Sequence, residues 1–366
     1  MHLSVMHPSE LGEHELARWR GLQKANQASS PFLSPEFAIA SGRARPQSRV
    51  AVIKDASQIA GFFGFELVVP GVGRPLGHML SDLQAVVTAP GTRWSWPALL
   101  QSCGLSVWAF TSLVQPQAVG MGARSSVHAT ETSLIDLRAG VEAYLRGRRR
   151  ASASLLSTCE RKKRKLDREV GPVRLVQDAD ASDFAVLRRW KSAQYRRNKI
   201  SDIFSLDWAG ALVQHTSRLR SDSFGGGVSM LYAGEIPVAG LYGVRSNGCL
   251  AYWFPAYDPA FAAYSPGVTL LLELVRNAPA AGVEVIDLGR GDESYKMRWR
   301  NAATPLAEGY VARPSAQAHL WRARTSLREA LLRSRARGPA EQGLAWWRQA
   351  ASAARAWRPR LPEESG

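Results

Sequence analysis

VEVIDLGRGDESYKMR, residues 283–298, runs from an apolar strand through two glycines into a helix start that carries Tyr295 and Lys296. The end of such a strand is where α/β enzymes place chemistry. Gly289 and Gly291 open backbone dihedrals closed to other residues and let a ligand come close to the main chain. Asp292 is positioned to cap the helix and complement its dipole. On spacing alone the stretch also reads as an ordinary glycine-rich connection, because an isolated G-x-G is weakly specific. The surrounding sequence has to decide between the two.

Upstream, Ser265-Pro266-Gly267 starts a helix that runs to about residue 280, with serine as N-cap and proline in the first turn. Before it, Asn247-Gly248 joins strands at 236–245 and 249–256 in a two-residue hairpin, since both turn positions tolerate positive φ. A strand at 173–177, helices at 181–196 and 206–219 and a strand series from Val228 lead into that hairpin. Hairpin, helix and strand in this order leave the helix N-terminus at 265–268 beside two strand ends. Its free N–H groups suit a pyrophosphate, although any capped helix has them. In the first half we expect a helix at 9–26, strands at 49–54 and 59–69 joined by Asp55, Ala56 and Ser57, and a strand-like core at 84–88. A helix at 96–102 and a strand at 106–110 follow. The arginine-rich stretch 146–150 and a helix at 153–170 read as the join.

The 366 residues suffice for two ordinary domains, and 45% hydrophobic with 21% charged residues is a globular composition. No segment reaches the roughly 20 uninterrupted apolar residues of a membrane helix. The N-terminal sequence MHLSVMHPSELGEHE has neither a basic start nor an apolar run, so no signal peptide is expected. Cys103, Cys159 and Cys249 are too far apart for a disulfide frame or a zinc site, which fits a reducing cytoplasm and no metal. A net charge of +16, concentrated at 146–150, 161–165 and beyond 313, favours anionic partners. Such runs are more often solvated helix faces, and without a recognised nucleic-acid motif a nucleic-acid partner is not expected.

Five blocks carry a resemblance: LSDLQAVVTAPG (80–91), WKSAQYRR (190–197), GEIPVAGLYG (234–243), AYSPGVTLLLELV (263–275) and, most specific, IDLGRGDESYKMRW (286–299). In this order they resemble the Fem-like, CelD-like branch of the GNAT acyltransferase superfamily, found near bacterial cellulose and exopolysaccharide synthesis functions. The resemblance covers roughly residues 1–312. It implies an α/β (α+β) fold of two tandem GNAT-like domains, at 1–150 and 151–312, each with a mixed, largely antiparallel sheet. A basic Trp- and Arg-rich helical tail at 313–366 lies outside it. The activity implied is N-acyl transfer to an amine of an amino sugar, polysaccharide precursor or related acceptor. The donor is acetyl-CoA or another acyl-CoA, with aminoacyl-tRNA or an acyl carrier protein as alternatives. The chain departs from ordinary GNAT enzymes in having SPGVT where their Arg/Gln-x-x-Gly-x-Gly/Ala phosphate loop stands.

Acyl transfer needs a neutral amine, stabilisation of the carbonyl oxygen as it gains charge, and protonation of the leaving group. Lys296 is our candidate for the developing oxyanion or a donor phosphate, against an exposed lysine on a first turn. Tyr295 either protonates the leaving group or packs on the strand. Asp287, alternating with Ile286 and Leu288, is either an in-cleft base or a structural ion pair. Asp292 reads as a cap. Ser265, Gly267, Val268, Gly289 and Gly291 are the expected donor-binding positions. Asp82 and Gln84 share a face and either bind acceptor hydroxyls or make a turn. Lys191, Gln194 and Tyr195 share a helix face that either lines the acceptor cleft or is solvated. Trp253 either stacks on a sugar ring or belongs to the core, with Tyr257 as a second such aromatic; His78 and His128 have no relay partner. The competing class is a GNAT-like scaffold without catalysis, docked on an exopolysaccharide synthesis complex. Its tail tryptophans, Trp321, Trp346, Trp347 and Trp357, would then serve as a docking or inner-membrane-surface helix.

Overall fold

Alternating apolar residues build a mixed sheet, fourteen strands among the described residues: β1 (His2–Met6), β2 (Ser48–Asp55), β3 (Gln58–Val69), β4 (Val72–Pro75), β5 (Val87–Thr88), β6 (Val107–Val114), β7 (Ser126–Asp136), β8 (Val173–Ala179), β9 (Arg220–Ser221), β10 (Phe224–Ala233), β11 (Ile236–Ser246), β12 (Cys249–Tyr257), β13 (Val285–Arg290) and β14 (Ala302–Ala312). The helices are α1 (Glu13–Ala25), α2 (Pro35–Ala44), α3 (Trp96–Ser102), α4 (Val141–Ala151), α5 (Ala153–Glu169), α6 (Ala181–Arg197), α7 (Asp207–Arg218), α8 (Pro266–Asn277), α9 (Ser294–Trp299) and α10 (Ala316–Arg333). This computed structural model describes residues 2–25, 30–55, 58–118, 121, 126–221 and 223–333, with side chains except at 126 and 325–333. Met1–Arg313 is one compact unit and Pro314–Gly366 a second.

The sheet order is β1-β2-β3-β4-β6-β14-β7-β13-β12-β11-β10-β8, with β5 on β3 and β9 on β10. Pairing is antiparallel except for β4 with β6 and β12 with β13. The middle of the order shows an exchange between the two halves of the chain. β7, early in sequence, pairs with β13 through Val285↔Asp136 and Ile286↔Ile135, while β14, late in sequence, lies between β6 and β7.

Period-two alternation sorts the core onto the two faces. On β2, Val50 and Val52 pack with Trp19, Phe37 and Phe62, while Ala51 and Ile53 face Phe63, Trp96 and Trp108. Met230, Tyr242 and Trp253 from the second half join the first of these clusters. Leu231, Leu241, Ile286 and Leu288 meet α5 and α8 on the other side, through Leu155, Leu156, Leu270 and Leu271. Each fully buried side chain of this kind contributes about 1.5–3 kcal/mol before entropy is charged.

Several expectations are corrected. The first helix begins at Glu13, after a single 3-10 turn at Pro8–Glu10. The strand expected at 84–88 shortens to Val87–Thr88, with Gln84 bridging to Leu113 instead. β1, β7 and β14 escape the sequence reading; β7 interleaves His128, Thr130 and Thr132 with its apolar residues, and β14 carries Pro305, Glu308 and Gly309. No helix among the described residues is long and apolar enough to cross a membrane. Trp346, Trp347 and Trp357 lie outside the described residues.

Candidate active site

Parallel pairing of β12 with β13 covers Cys249↔Val285, Leu250↔Ile286 and Ala251↔Asp287, and then the strands part. β12 continues on β11 as far as Tyr257, while β13 shifts register against β7 between Asp287 and Arg290. A cleft of about 540 Å3 opens between them, walled by Tyr252, Trp253 and Pro255 on one side and Leu288, Gly289 and Arg290 on the other. Parting strands leave main-chain polar groups for an extended ligand to bond along.

The start of α8 closes one end. Ser265 holds the N-cap position in a left-handed conformation (φ 51°, ψ 53°) and makes no side-chain cap bond, contrary to expectation. Its hydroxyl instead accepts from Lys162 Nζ at 2.6 Å, and its carbonyl takes the Val268 and Thr269 N–H groups at 3.1 and 3.2 Å. Pro266 has no N–H, so Gly267 keeps the first-turn donor, and both Gly267 and Val268 line the cleft. A lysine beside the positive end of a helix favours an anion there.

At the other end, α9 presents Tyr295 and Lys296. The expected Asp292 cap is replaced: Glu293 is the N-cap residue and makes no cap bond, because its Oε2 lies 3.0 Å from Lys296 Nζ. Lys296 is 6% exposed and also donates to the Arg290 carbonyl at 2.5 Å. Gly291 (φ 120°) makes this meeting feasible, since a Cβ there would overlap Glu293 Oε2. Burial, then the Glu293 charge, raise the Tyr295 phenol, which therefore keeps its proton at neutral pH.

Two carboxylates meet beside Gly289. Asp82 comes from the loop before β5 and lines the cleft, 3.6 Å from where a Gly289 Cβ would stand. Burial raises it to about 7, the neighbouring Asp287 charge adds to this, and Lys296 and Arg290 oppose it. Asp287 is 4% exposed and accepts from Thr132 Oγ1 and from Gly289 N at 2.9 Å. It too is raised by burial, against those bonds and Lys296. It does not line the cleft but lies behind Gly289, anchored to β7.

α6 supplies Lys191 and Gln194. Lys191 donates to the Pro255 carbonyl at 3.0 Å, and burial, helped by the Lys296 charge, lowers it to about 8. Gln194 lines the cleft, and its buried Oε1 has no hydrogen-bond partner among the described residues. Tyr195 does not reach the lining; Lys191 sits over its ring at 5.2 Å.

Gln84 is 3% exposed and lines neither this cleft nor the next. Its amide donates to Ser81 O and Thr111 Oγ1 and accepts from Thr111 N and Ser112 N, all at 3.0–3.1 Å. That clamp fixes the loop carrying Asp82 onto β6. Trp253 fixes it from the other side, donating to Leu80 O at 3.0 Å with its ring packed on Phe32, Phe37 and Phe254. It is a core aromatic with one edge in the cleft rather than a free stacking platform.

A second cleft of about 660 Å3 meets the first at Asp82 and Arg290 and takes in Gly291 and Asp292. Sequence reasoning missed Arg290, Tyr252 and Glu293. The GRGD run flagged the position of Arg290, but its bonds to the Thr111 carbonyl and Glu308 depend on strands remote in sequence.

Residues 153–297 match the model of the acetyltransferase (GNAT) domain family. No curated protein matches the chain by sequence. Among solved structures the chain is similar to FemX, at 9% identity and a TM-score of 0.58 over 87% of this chain and 99% of that one. It is similar to a conserved protein of unknown function from Bacteroides thetaiotaomicron, at 10% identity and 0.55, over 85% and 100%. It is also similar to the C-terminal DUF2156 domain of a candidate lysylphosphatidylglycerol synthetase from Agrobacterium fabrum, at 10% and 0.52, over 86% and 96%.

Proposed function

We propose, from the GNAT acetyltransferase domain that residues 153–297 match, that the cleft between β12 and β13 transfers an acyl group from acyl-CoA, in the first instance acetyl-CoA, to an amine. The observation that carries this reading is the parting of the two strands between the start of α8 at one end and Lys296 and Asp82 at the other. The donor chain lies along the freed strand edges, and its phosphates meet the Gly267 N–H with Lys162 and Lys191 near by. The buried Gln194 Oε1 accepts an N–H from the donor's amide chain.

In the reaction the amine nitrogen forms a bond to the thioester carbon. Asp82 takes the proton that the nitrogen loses, a role suited to a carboxylate raised to about 7. Lys296, already desolvated and held by Glu293 and Arg290 O, stabilises the oxyanion. The carbon–sulfur bond then breaks, and the thiolate takes its proton from Tyr295, which recovers one from solvent. Asp287 is a positioning residue for Gly289 and the neighbour that keeps Asp82 basic. The acceptor class that the sequence resemblance supports is the amine of an amino sugar or polysaccharide precursor in a bacterial exopolysaccharide or cellulose system, and a CoA donor implies a cytoplasmic enzyme.

The test is thiol release from acetyl-CoA in the presence of an amine. Lys296→Ala should lower kcat about a hundredfold, the size expected for losing one oxyanion donor. Unchanged turnover would remove Lys296 from the chemistry.

A further inference from the structure

The two clefts differ in the charges that remain once internal ion pairs are set aside. In the second cleft Arg290 is paired with Glu308, and Glu131 with Arg300. Asp82 and Asp292 form no ion pair among the described residues and both face this space. Ser112, 2% exposed, and Thr130 line it too, and neither hydroxyl has a hydrogen-bond partner among the described residues. Both hydroxyls are thus available to a polar ligand atom in this space. At the rim stand the side chains of Met79 and Met297, 56% and 44% exposed, which offer apolar contact to a carbon skeleton. Asp82 is common to both clefts, but where the second adds Asp292 the first adds Lys191 inside, Lys162 bonded to Ser265 at its wall, and a helix N-terminus. In a chain of net charge +16 an anionic pocket is against the general trend.

We infer that the second cleft is the acceptor subsite, and that it takes a cationic, hydroxyl-bearing amine without a phosphate or nucleotide attached. This rests on the acyltransfer reading above. A protonated amine drawn to Asp292 and Asp82 reaches the point where the clefts join, with its nitrogen facing the donor carbonyl across Asp82. Its hydroxyls bond Ser112 and Thr130. A phosphate on the same skeleton meets two unpaired carboxylates and is repelled. The chemistry remains that of the proposed transfer: the protonated amine first gives one proton through Asp82 to solvent, the neutral nitrogen then bonds to the thioester carbon and gives its second proton to Asp82, and the carbon–sulfur bond breaks with the thiolate protonated by Tyr295.

The experiment uses the full chain with acetyl-CoA and three probes that share one ring: glucosamine, glucosamine 6-phosphate and UDP-glucosamine. Thiol release should favour free glucosamine in kcat/KM by about tenfold or more, the size of one unfavourable charge contact. Asp292→Lys, on the exposed rim, should lower kcat/KM for glucosamine about tenfold by KM and shrink that preference, with KM for acetyl-CoA unchanged. Equal or better use of either phosphorylated probe overturns the inference, as does no release with glucosamine, or an Asp292→Lys variant indistinguishable from the parent. Failure of acetyl-CoA to bind at all would instead remove the acyltransfer reading beneath it.

Discussion

Asp82 and Asp287 are both aspartates raised by burial, yet their surroundings give them different work. Asp287 spends Oδ1 on Thr132 and the Gly289 N–H, while Asp82 has no such bond and opens onto both clefts. A base acts when deprotonated, so kcat/KM should rise as pH increases through about 7. Asp82→Asn should remove that limb, leaving a low, flat profile; a rise at the same pH in the variant would assign the titration elsewhere. Lys191 is cationic below about 8, so a KM for the donor that grows above that pH belongs to the same residue-scale picture. Lys296, Tyr295 and the two glycines were legible because the strand–glycine–helix pattern announces a strand end. The separation of Asp82 from Asp287 was not, because alternation along β13 says which face a side chain takes but not what occupies that face from another part of the chain.

Elements place these groups by a few bonds between distant segments. The Asp82 loop has little regular structure of its own and is held by the Gln84 amide against β6 and by the Trp253 indole against β12. Gln84→Met keeps the size and removes the clamp, leaving the Thr111 and Ser112 N–H groups without their buried acceptor at a cost of about 1–3 kcal/mol each. We expect a lower melting temperature and a kcat reduced about ten- to a hundredfold by misplacement of Asp82, with KM for acetyl-CoA unchanged. Equal losses in donor KM would mean that the clamp serves the fold in general. α1, α3, α5, α6, α7, α8 and the Asn247-Gly248 hairpin were legible from local signals, with α3 over the expected residues, whereas α2 and α4 were not expected. The role of Gln84 was hidden because a glutamine in an extended segment looks the same whether its partners are ligand hydroxyls or the backbone of a strand almost thirty residues away.

At the scale of the molecule, the halves are joined by the exchange of β7 and β14. β14 completes ladders to both β6 and β7, so a chain ending at Asn301 loses a central strand rather than an edge. We expect that truncated chain to give no cooperative thermal transition by circular dichroism, whereas the intact chain should melt Met1–Arg313 as a unit. A truncated chain with a sharp transition would show that the exchange is dispensable. The α/β class was legible from the order of strands and helices, and the family resemblance reached the GNAT fold. The exchange itself was not, because pairing partners far apart in sequence leave no local pattern, and β7 and β14 mix polar and apolar residues.

The cleft between β12 and β13 is the site we propose for an acyl-CoA. The most direct measurement is the melting temperature of the intact protein against rising acetyl-CoA. Binding to the folded state alone should stabilise it by about 2.7 kcal/mol at a hundred times Kd, so the midpoint should climb with concentration. Lys191→Glu should blunt that climb. A midpoint unmoved by millimolar acetyl-CoA, in a protein that melts cooperatively, would contradict the account.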